Sequence, residues 1–232
     1  RITLGVKMGY VKWLGHSAFE IFLDNNKILI DPWLTNPFSP VKPDEYTDID
    51  LIIVTHDHGD HLGETLDILK RIKKAKFVGI YELACWIAEQ GIEENRTIGG
   101  NIGGPIQVND LKIVLTPAEH SATRGFPVGV ILLGKEAVLY HAGDTGLGGF
   151  MSLLGDLYKI DIAMIPIGSH FTMDPYQATK AVELIKPRIV IPMHYKTFPV
   201  TTGDPKEFAK LVNEKAPSTK VVILKPGEKL NF

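Results

Sequence analysis

Short apolar runs broken by turn residues set the grain of this chain. Runs at 10–14, 18–23 and 27–30 read as antiparallel strands. Asp24-Asn25-Asn26 makes the turn between the last two, since Asn and Asp tolerate left-handed backbone angles. Leu51-Ile52-Ile53-Val54 is apolar at every position, the mark of a strand buried on both faces. Leu62, Leu66, Leu69 and Ile72 then recur at helical spacing, and Lys70, Arg71, Lys73 and Lys74 sit where cations suit the C-terminal end of a helix dipole.

A strand at 77–80 and a helix at 82–90 continue a βα alternation. Strands at 106–108 and 111–115 flank the Asn109-Asp110 turn, and strands at 129–133 and 137–140 flank Gly134-Lys135-Glu136. A strand at 160–165 leads to a helix that Asp174 caps and Pro175 begins, ending near 185. A strand at 188–191, a helix from Asp204-Pro205 to about 215, and a strand at 221–224 complete the pattern. The loop 32–50 carries four prolines together with Trp33, Phe38 and Tyr46, and reads as an ordered wall for a pocket.

A chain of 232 residues can bury a sizeable core without disulfide support, so one domain over 8–232 is expected. Residues 1–7, ahead of Met8, are set aside as an upstream or artificial extension. With 25 basic and 27 acidic residues the net charge is −2, which offers no broad basic field to nucleic acid or to an anionic membrane. No apolar run is long enough to span a bilayer. The lone Cys85 excludes an intrachain disulfide, reads as a small buried apolar residue of its helix, and points to a cytoplasmic, reducing setting. The glycine-rich stretch 99–104 has neither a following helix nor the Lys-Ser/Thr of a phosphate loop, so it reads as a turn.

The chemistry gathers just beyond the apolar run 51–54, in His56-Asp57-His58-Gly59-Asp60-His61. Three imidazoles and two carboxylates so close together are a metal-ligand cluster by type and spacing. With 8 His and 14 Asp in the chain, the His-x-His-x-Asp-His pattern falls roughly once in 2,000 shuffled sequences. His56 and His58 leave the strand on the same side and can share one ion, while Asp60 and His61 lie past the Gly59 bend and can reach a second.

Nearly every one of the 8 histidines follows a strand end, where chemistry gathers in layered folds. His120 is a candidate third ligand for the ion of His56 and His58. Asp144, between Gly143 and Gly146, has room to approach a bridging position. His194 follows the last long strand but one. Asp31, before Pro32, is placed to accept a hydrogen bond from a ligating imidazole. His16 and His170 are candidates to bind the leaving group or stabilise its charge.

These motifs resemble the five-motif pattern of the metallo-β-lactamase superfamily: the 56–61 cluster, His120, Asp144 within His141-Ala142-Gly143-Asp144-Thr145, His194, and Asp31 at the first motif. Trp13-Leu14-Gly15-His16-Ser17 and Ile30-Asp31-Pro32-Trp33 are similar to the compact metal-dependent hydrolase branch that includes L-ascorbate-6-phosphate lactonase. The resemblance implies an α/β fold, a four-layer αβ/βα sandwich with two mixed central β-sheets and helices on the outer faces. It assigns His56, His58 and His120 to one divalent ion, Asp60, His61 and His194 to the other, and Asp144 to both. Zn²⁺ is the first choice of metal and Mn²⁺ the second.

Two ions roughly 3.5–4 Å apart lower the pKa of a shared water and polarise a carbonyl or phosphoryl oxygen. Asp60 is then expected to orient the hydroxide. The implied activity is hydrolysis of a small ester, lactone or phosphodiester, with a phosphorylated sugar lactone as the specific candidate and an anionic or phosphorylated small molecule as the expected partner. A nuclease of the same superfamily and a non-enzymatic metal-dependent sensor are the alternatives. Nucleic acid and membrane are not expected partners, and a homo-oligomer remains open.

Overall fold

The computed structural model describes residues 8–232; the segment 1–7, read above as an extension, lies outside the described residues. Among the described residues, fourteen strands form two seven-stranded sheets. The first holds β1 (Tyr10–Trp13), β2 (Phe19–Leu23), β3 (Asn26–Ile30), β4 (Leu51–Ile53), β5 (Lys76–Ile80), β6 (Thr97–Gly100) and β14 (Lys229–Asn231), in the order β14-β1-β2-β3-β4-β5-β6. The second holds β7 (Ile106–Val108), β8 (Leu111–Pro117), β9 (Val128–Leu133), β10 (Val138–His141), β11 (Ile162–Pro166), β12 (Ile189–Met193) and β13 (Lys220–Val221), in the order β13-β12-β11-β10-β9-β8-β7.

The two sheets repeat one scheme. In the first, pairing is antiparallel from β14 to β3 and parallel from β3 to β6. In the second, it is antiparallel from β7 to β10 and parallel from β10 to β13. The parallel strands need helical crossovers, which supply the outer layers. They are α1 (Gly59–Leu62), α2 (Thr65–Arg71) and α3 (Tyr81–Glu89) beside the first sheet, and α4 (Phe150–Leu157), α5 (Pro175–Ile185) and α6 (Pro205–Lys215) beside the second. This is the α/β sandwich the motifs imply.

Strands β2, β11 and β12 are buried at every position, as expected of strands covered on both faces. Each Ile or Leu buried in them contributes about 1.5–3 kcal/mol. One apolar cluster runs through both sheets. Across the seam, the Phe19 ring of β2 meets His141 of β10 edge-on at 5.6 Å.

Several elements depart from the sequence pattern for local reasons. The helix expected through 62–72 is two helices, because Gly63 takes φ 44° and packs where a Cβ would lie 2.4 Å from the Pro32 carbonyl oxygen. The glycine stretch contributes the edge strand β6, with Gly99 and Gly100 paired to Gly79 and Ile80 of β5. Helix α4 and strand β14 were not legible, one following glycines and the other carrying a single apolar residue. The closing strand is only the pair Lys220–Val221. Cys85 is exposed, not buried: α3 turns Leu83, Ala84 and Ile87 inward, which puts position 85 on the outer face.

Strand ends position the site. Asp31 follows β3, the 56–61 cluster follows β4, His120 follows β8, Asp144 follows β10 and His194 follows β12. All five connections lie along one edge of the sandwich.

Candidate metal centre

Three groups of side chains hold their ligating atoms within 4.8 Å of one another: His56, His58 and His120; His16, Asp60, His61 and His194; and His56, His61 and Asp144. Asp144 is the hub. Its Oδ2 lies 3.1 Å from Nε2 of both His61 and His194, 3.5 Å from His120 Nε2 and 3.9 Å from His56 Nε2. Asp60 Oδ2 lies 3.6 Å from His61 Nε2 and 3.8 Å from His194 Nε2. His56 Nε2 and His58 Nδ1 are 3.0 Å apart. The structure therefore brings together all seven residues that the resemblance assigns to metal.

Local backbone explains how. Beyond β4, His56 and His58 leave an extended segment on one side, and α1 begins at Gly59, carrying Asp60 and His61 back over them. Asp57 points the other way. Its buried carboxylate accepts the Thr123 N–H and the Arg124 guanidinium, both at 2.8 Å, and Arg124 lies over the Trp86 ring at 4.3 Å. That pairing ties down the loop that carries His120. Gly143 holds φ 62° where a Cβ would lie 2.7 Å from the Val128 carbonyl oxygen, so only glycine lets the turn bring Asp144 inward. Gly146 meets no such constraint.

Three residues of the site, His16, Asp31 and His194, hold left-handed backbone with φ 51°, 49° and 56°. Such conformations cost on the order of 1 kcal/mol or more each and persist where surroundings over-determine them. The Asp31 surroundings are visible. Its Oδ1 accepts Thr55 N–H at 2.8 Å, and its Oδ2 accepts the Thr55 hydroxyl and His61 Nδ1–H, each at 2.7 Å. Nε2 of His61 is thereby aimed at Asp144 and Asp60.

His16 is fully buried, donating from Nε2 to Asp60 Oδ2 at 2.9 Å and accepting the Thr197 hydroxyl at Nδ1, 2.7 Å away. Both nitrogens are thus engaged within the chain, one of them by Asp60. The structure does not bring His170 to the others. It is exposed, with φ 64°, its ring against Phe171, and Phe171 is the residue that lines the cleft.

The electrostatics of the cluster fit a cation. Burial opposes charge on His61, but Asp144 and Asp31 outweigh it and raise the imidazole well above its usual range. Burial likewise opposes a charged Asp144, and His61 and His194 outweigh it, holding that carboxyl well below its usual range. Asp60 is held down by the His16 hydrogen bond and His61 against the effect of burial. Burial pushes His16 down to about 4 and His56 down to about 2, and lowers His120.

His61 Nε2 and Asp144 Oδ1 are buried with no hydrogen-bond partner. Unpaired buried polar atoms are costly, and a divalent cation among them supplies the missing partner in place of a proton. Neutral imidazoles and ionised carboxylates are the forms in which these residues ligate metal. The donor set fits the group that the motifs imply.

Sequence reasoning passed over Thr55, Thr197, His141 and the Asp57–Arg124 pair. His141 donates from Nε2 to the Ser17 carbonyl at 2.9 Å and accepts the Gly143 N–H at Nδ1, bracing the Asp144 turn, and burial lowers its pKa. The one available signal was position: Thr55 and Asp57 directly flank His56.

The ligating atoms floor a cleft of about 690 Å³ walled by Trp33, Phe171, Phe198 and Val200. Among the described residues no helix is long and apolar enough to cross a membrane.

Comparisons with known proteins agree with this geometry. Residues 26–195 match the family model described as the beta-lactamase superfamily domain. A UPF0173 metal-dependent hydrolase of Hyperthermus butylicus is 57% identical over 229 residues, covering 97% of this chain and 100% of its own. The structure of Igni18, a metallo hydrolase from the hyperthermophilic archaeon Ignicoccus hospitalis, superposes with a TM-score of 0.91 at 42% identity, over 97% of this chain and 99% of that one. An isothiocyanate hydrolase from Delia radicum gut bacteria shares the fold, with a TM-score of 0.77 at 18% identity over 96% of this chain and 98% of that one. A matched family model over most of the chain and close relatives covered along their whole length place this chain in the metallo-β-lactamase superfamily, in its UPF0173 family of metal-dependent hydrolases.

Proposed function

We propose that residues 8–232 act as one hydrolase unit that uses a pair of divalent cations to cleave a small ester, lactone or phosphodiester. The observation that carries this reading is the convergence of His side chains from the ends of β4, β8 and β12 on Asp144 Oδ2, at the end of β10 and the floor of an open cleft. His56, His58 and His120 would hold one cation and Asp60, His61 and His194 the other, with Asp144 touching both. Zn²⁺ suits the imidazole-rich set, with Mn²⁺ second. Such a pair supplies Lewis acidity and a hydroxide nucleophile near neutral pH.

The chain's own residues then have separable tasks. Asp60, held by His16 Nε2–H, presents its carboxylate to the attacking water and orients the proton that the water gives up. Asp31 and Thr55 keep His61 in the tautomer whose Nε2 faces inward. Water's oxygen bonds to the acyl carbon or phosphorus, the bond to the leaving oxygen breaks, and that oxygen takes a proton. A nuclease would need a basic groove, and no Lys or Arg lines the cleft among the described residues. A bare sensor would have little use for Asp60 braced by His16. The test is turnover of simple aryl esters by the zinc-loaded protein and its Asp144→Asn variant. Activity lost in the variant supports the reading, and equal activity in both removes it.

A further inference from the structure

The walls of the cleft above the metal-ligand cluster are apolar and uncharged. Trp33 and Phe198 stack with ring centroids 5.8 Å apart and planes 17° from parallel. Phe171 and Val200 stand beside them, 50% and 41% exposed, which leaves apolar surface facing the opening. Contacts within the chain brace the Trp33 side of this wall. Glu64 accepts the Leu34 N–H at 2.6 Å and the Thr35 hydroxyl at 2.7 Å, and Gly63 packs directly beneath the Trp33 backbone. An aromatic surface so preorganised loses little entropy on binding.

Polar groups are scarce on those walls. Among the described residues that line the cleft, Ser121 carries the one hydroxyl outside the ligand cluster. Among the described residues no Lys or Arg lines the cleft. Arg124 pairs with Asp57 and lies over Trp86, and the Lys196 side chain is 57% exposed with its Nζ 4.0 Å from Asp204. A phosphate on the substrate's tail would meet no counter-charge, and a sugar's hydroxyls would meet almost no partners. An alkyl or aryl tail would cover the exposed rings.

We infer that the substrate is an uncharged carboxylic ester or lactone with an apolar alkyl tail seated on Trp33, Phe198 and Val200. The inference rests on the hydrolase reading above and narrows it away from phosphorylated sugar lactones. Water's oxygen joins the acyl carbon, the acyl C–O bond breaks, and the alcohol oxygen takes the proton, giving a carboxylic acid and an alcohol from an ester or one hydroxy acid from a lactone. The acid formed is the one product that carries charge, and the apolar wall disfavours its retention.

The test compares zinc-loaded protein on γ-butyrolactone, γ-hexalactone and γ-octalactone with phosphorylated gluconolactone. The expected result is that kcat/KM rises about fourfold per added methylene, with the phosphorylated lactone the poorest. Trp33→Ala and Phe198→Ala should flatten that rise with zinc content unchanged, and the milder Phe198→Leu should flatten it in part if the Ala variants fail to fold. Binding of the uncleavable γ-octalactam, read by tryptophan fluorescence and calorimetry, is independent of turnover. Lactam binding that Phe198→Ala weakens, with no lactone turned over, would keep the apolar-tail assignment and remove the hydrolase reading. Turnover without chain-length dependence, preference for the phosphorylated lactone, or no lactam binding would overturn the assignment.

Discussion

The metal centre is built from two kinds of segment, and they differ in how much structure each needs. His56, His58, Asp60 and His61 come from one strand end and the four-residue helix behind it, so local backbone alone brings them together. His120, Asp144 and His194 arrive singly from the ends of β8, β10 and β12, and reach the first cluster only because the two sheets pack face to face. Asp31 and His16 then reach in from other strand ends to orient His61 and Asp60. The dispersed half depends on bracing: Asp57 and Arg124 for the His120 loop, and Gly143 with His141 for Asp144.

The largest effect should come from the hub shared by both halves. Asp144→Asn keeps the shape but removes the charge opposite His61 and His194, and activity should fall by about a thousandfold or more, since the Lewis-acid contribution is worth several kcal/mol. Steady-state kinetics with metal analysis would check this, and near-normal turnover would mean the halves do not cooperate.

Bracing residues should show smaller losses. Asp31→Asn, which leaves His61 without its orienting carboxylate, should weaken zinc binding about 10- to 100-fold in chelator competition. Arg124→Ala should weaken it by about tenfold at most, because Asp57 keeps its Thr123 bond. If Arg124→Ala costs more than Asp31→Asn, the dispersed half is the one more dependent on bracing. His170→Ala should leave turnover unchanged, since the ring stands outside the cluster.

The smallest effect on the site should come from Glu20, far along β2. Its carboxylate accepts the Tyr10 and Tyr46 hydroxyls, each at 2.5 Å, with Lys12 3.8 Å away. Burial favours protonation, but these donors outweigh it and hold the group below its usual 4.5. A depressed folded-state value means the contribution is present above about pH 4.5 and is lost as pH falls through the lower value. Glu20→Gln should therefore flatten the acid limb of thermal stability while leaving zinc content unchanged. A loss of zinc would show that the sheet and the site are not separable.

The same contrast explains what could be read from the sequence. The 56–61 cluster announces itself, because spacing within a few residues is visible in a linear string. His120, Asp144 and His194 were legible through strand-end position and family resemblance. Their bracing partners were not, because Thr55, Asp57, Thr197 and His141 have ordinary identities and acquire a role only through contacts across the fold. The broken helix at Gly63 was hidden for the same reason: its cause is the Pro32 carbonyl, distant in sequence. His16 was found but assigned to the substrate, since position could not show that both its nitrogens are taken.

The most direct test of convergence is the zinc content of the loaded, desalted protein, measured by mass spectrometry beside a His120→Ala, His194→Ala double variant that keeps the whole 56–61 cluster. The account predicts two zinc ions per chain in the native sequence and at most one in the variant. Two ions retained by the variant, or fewer than one bound by the native protein, would contradict it.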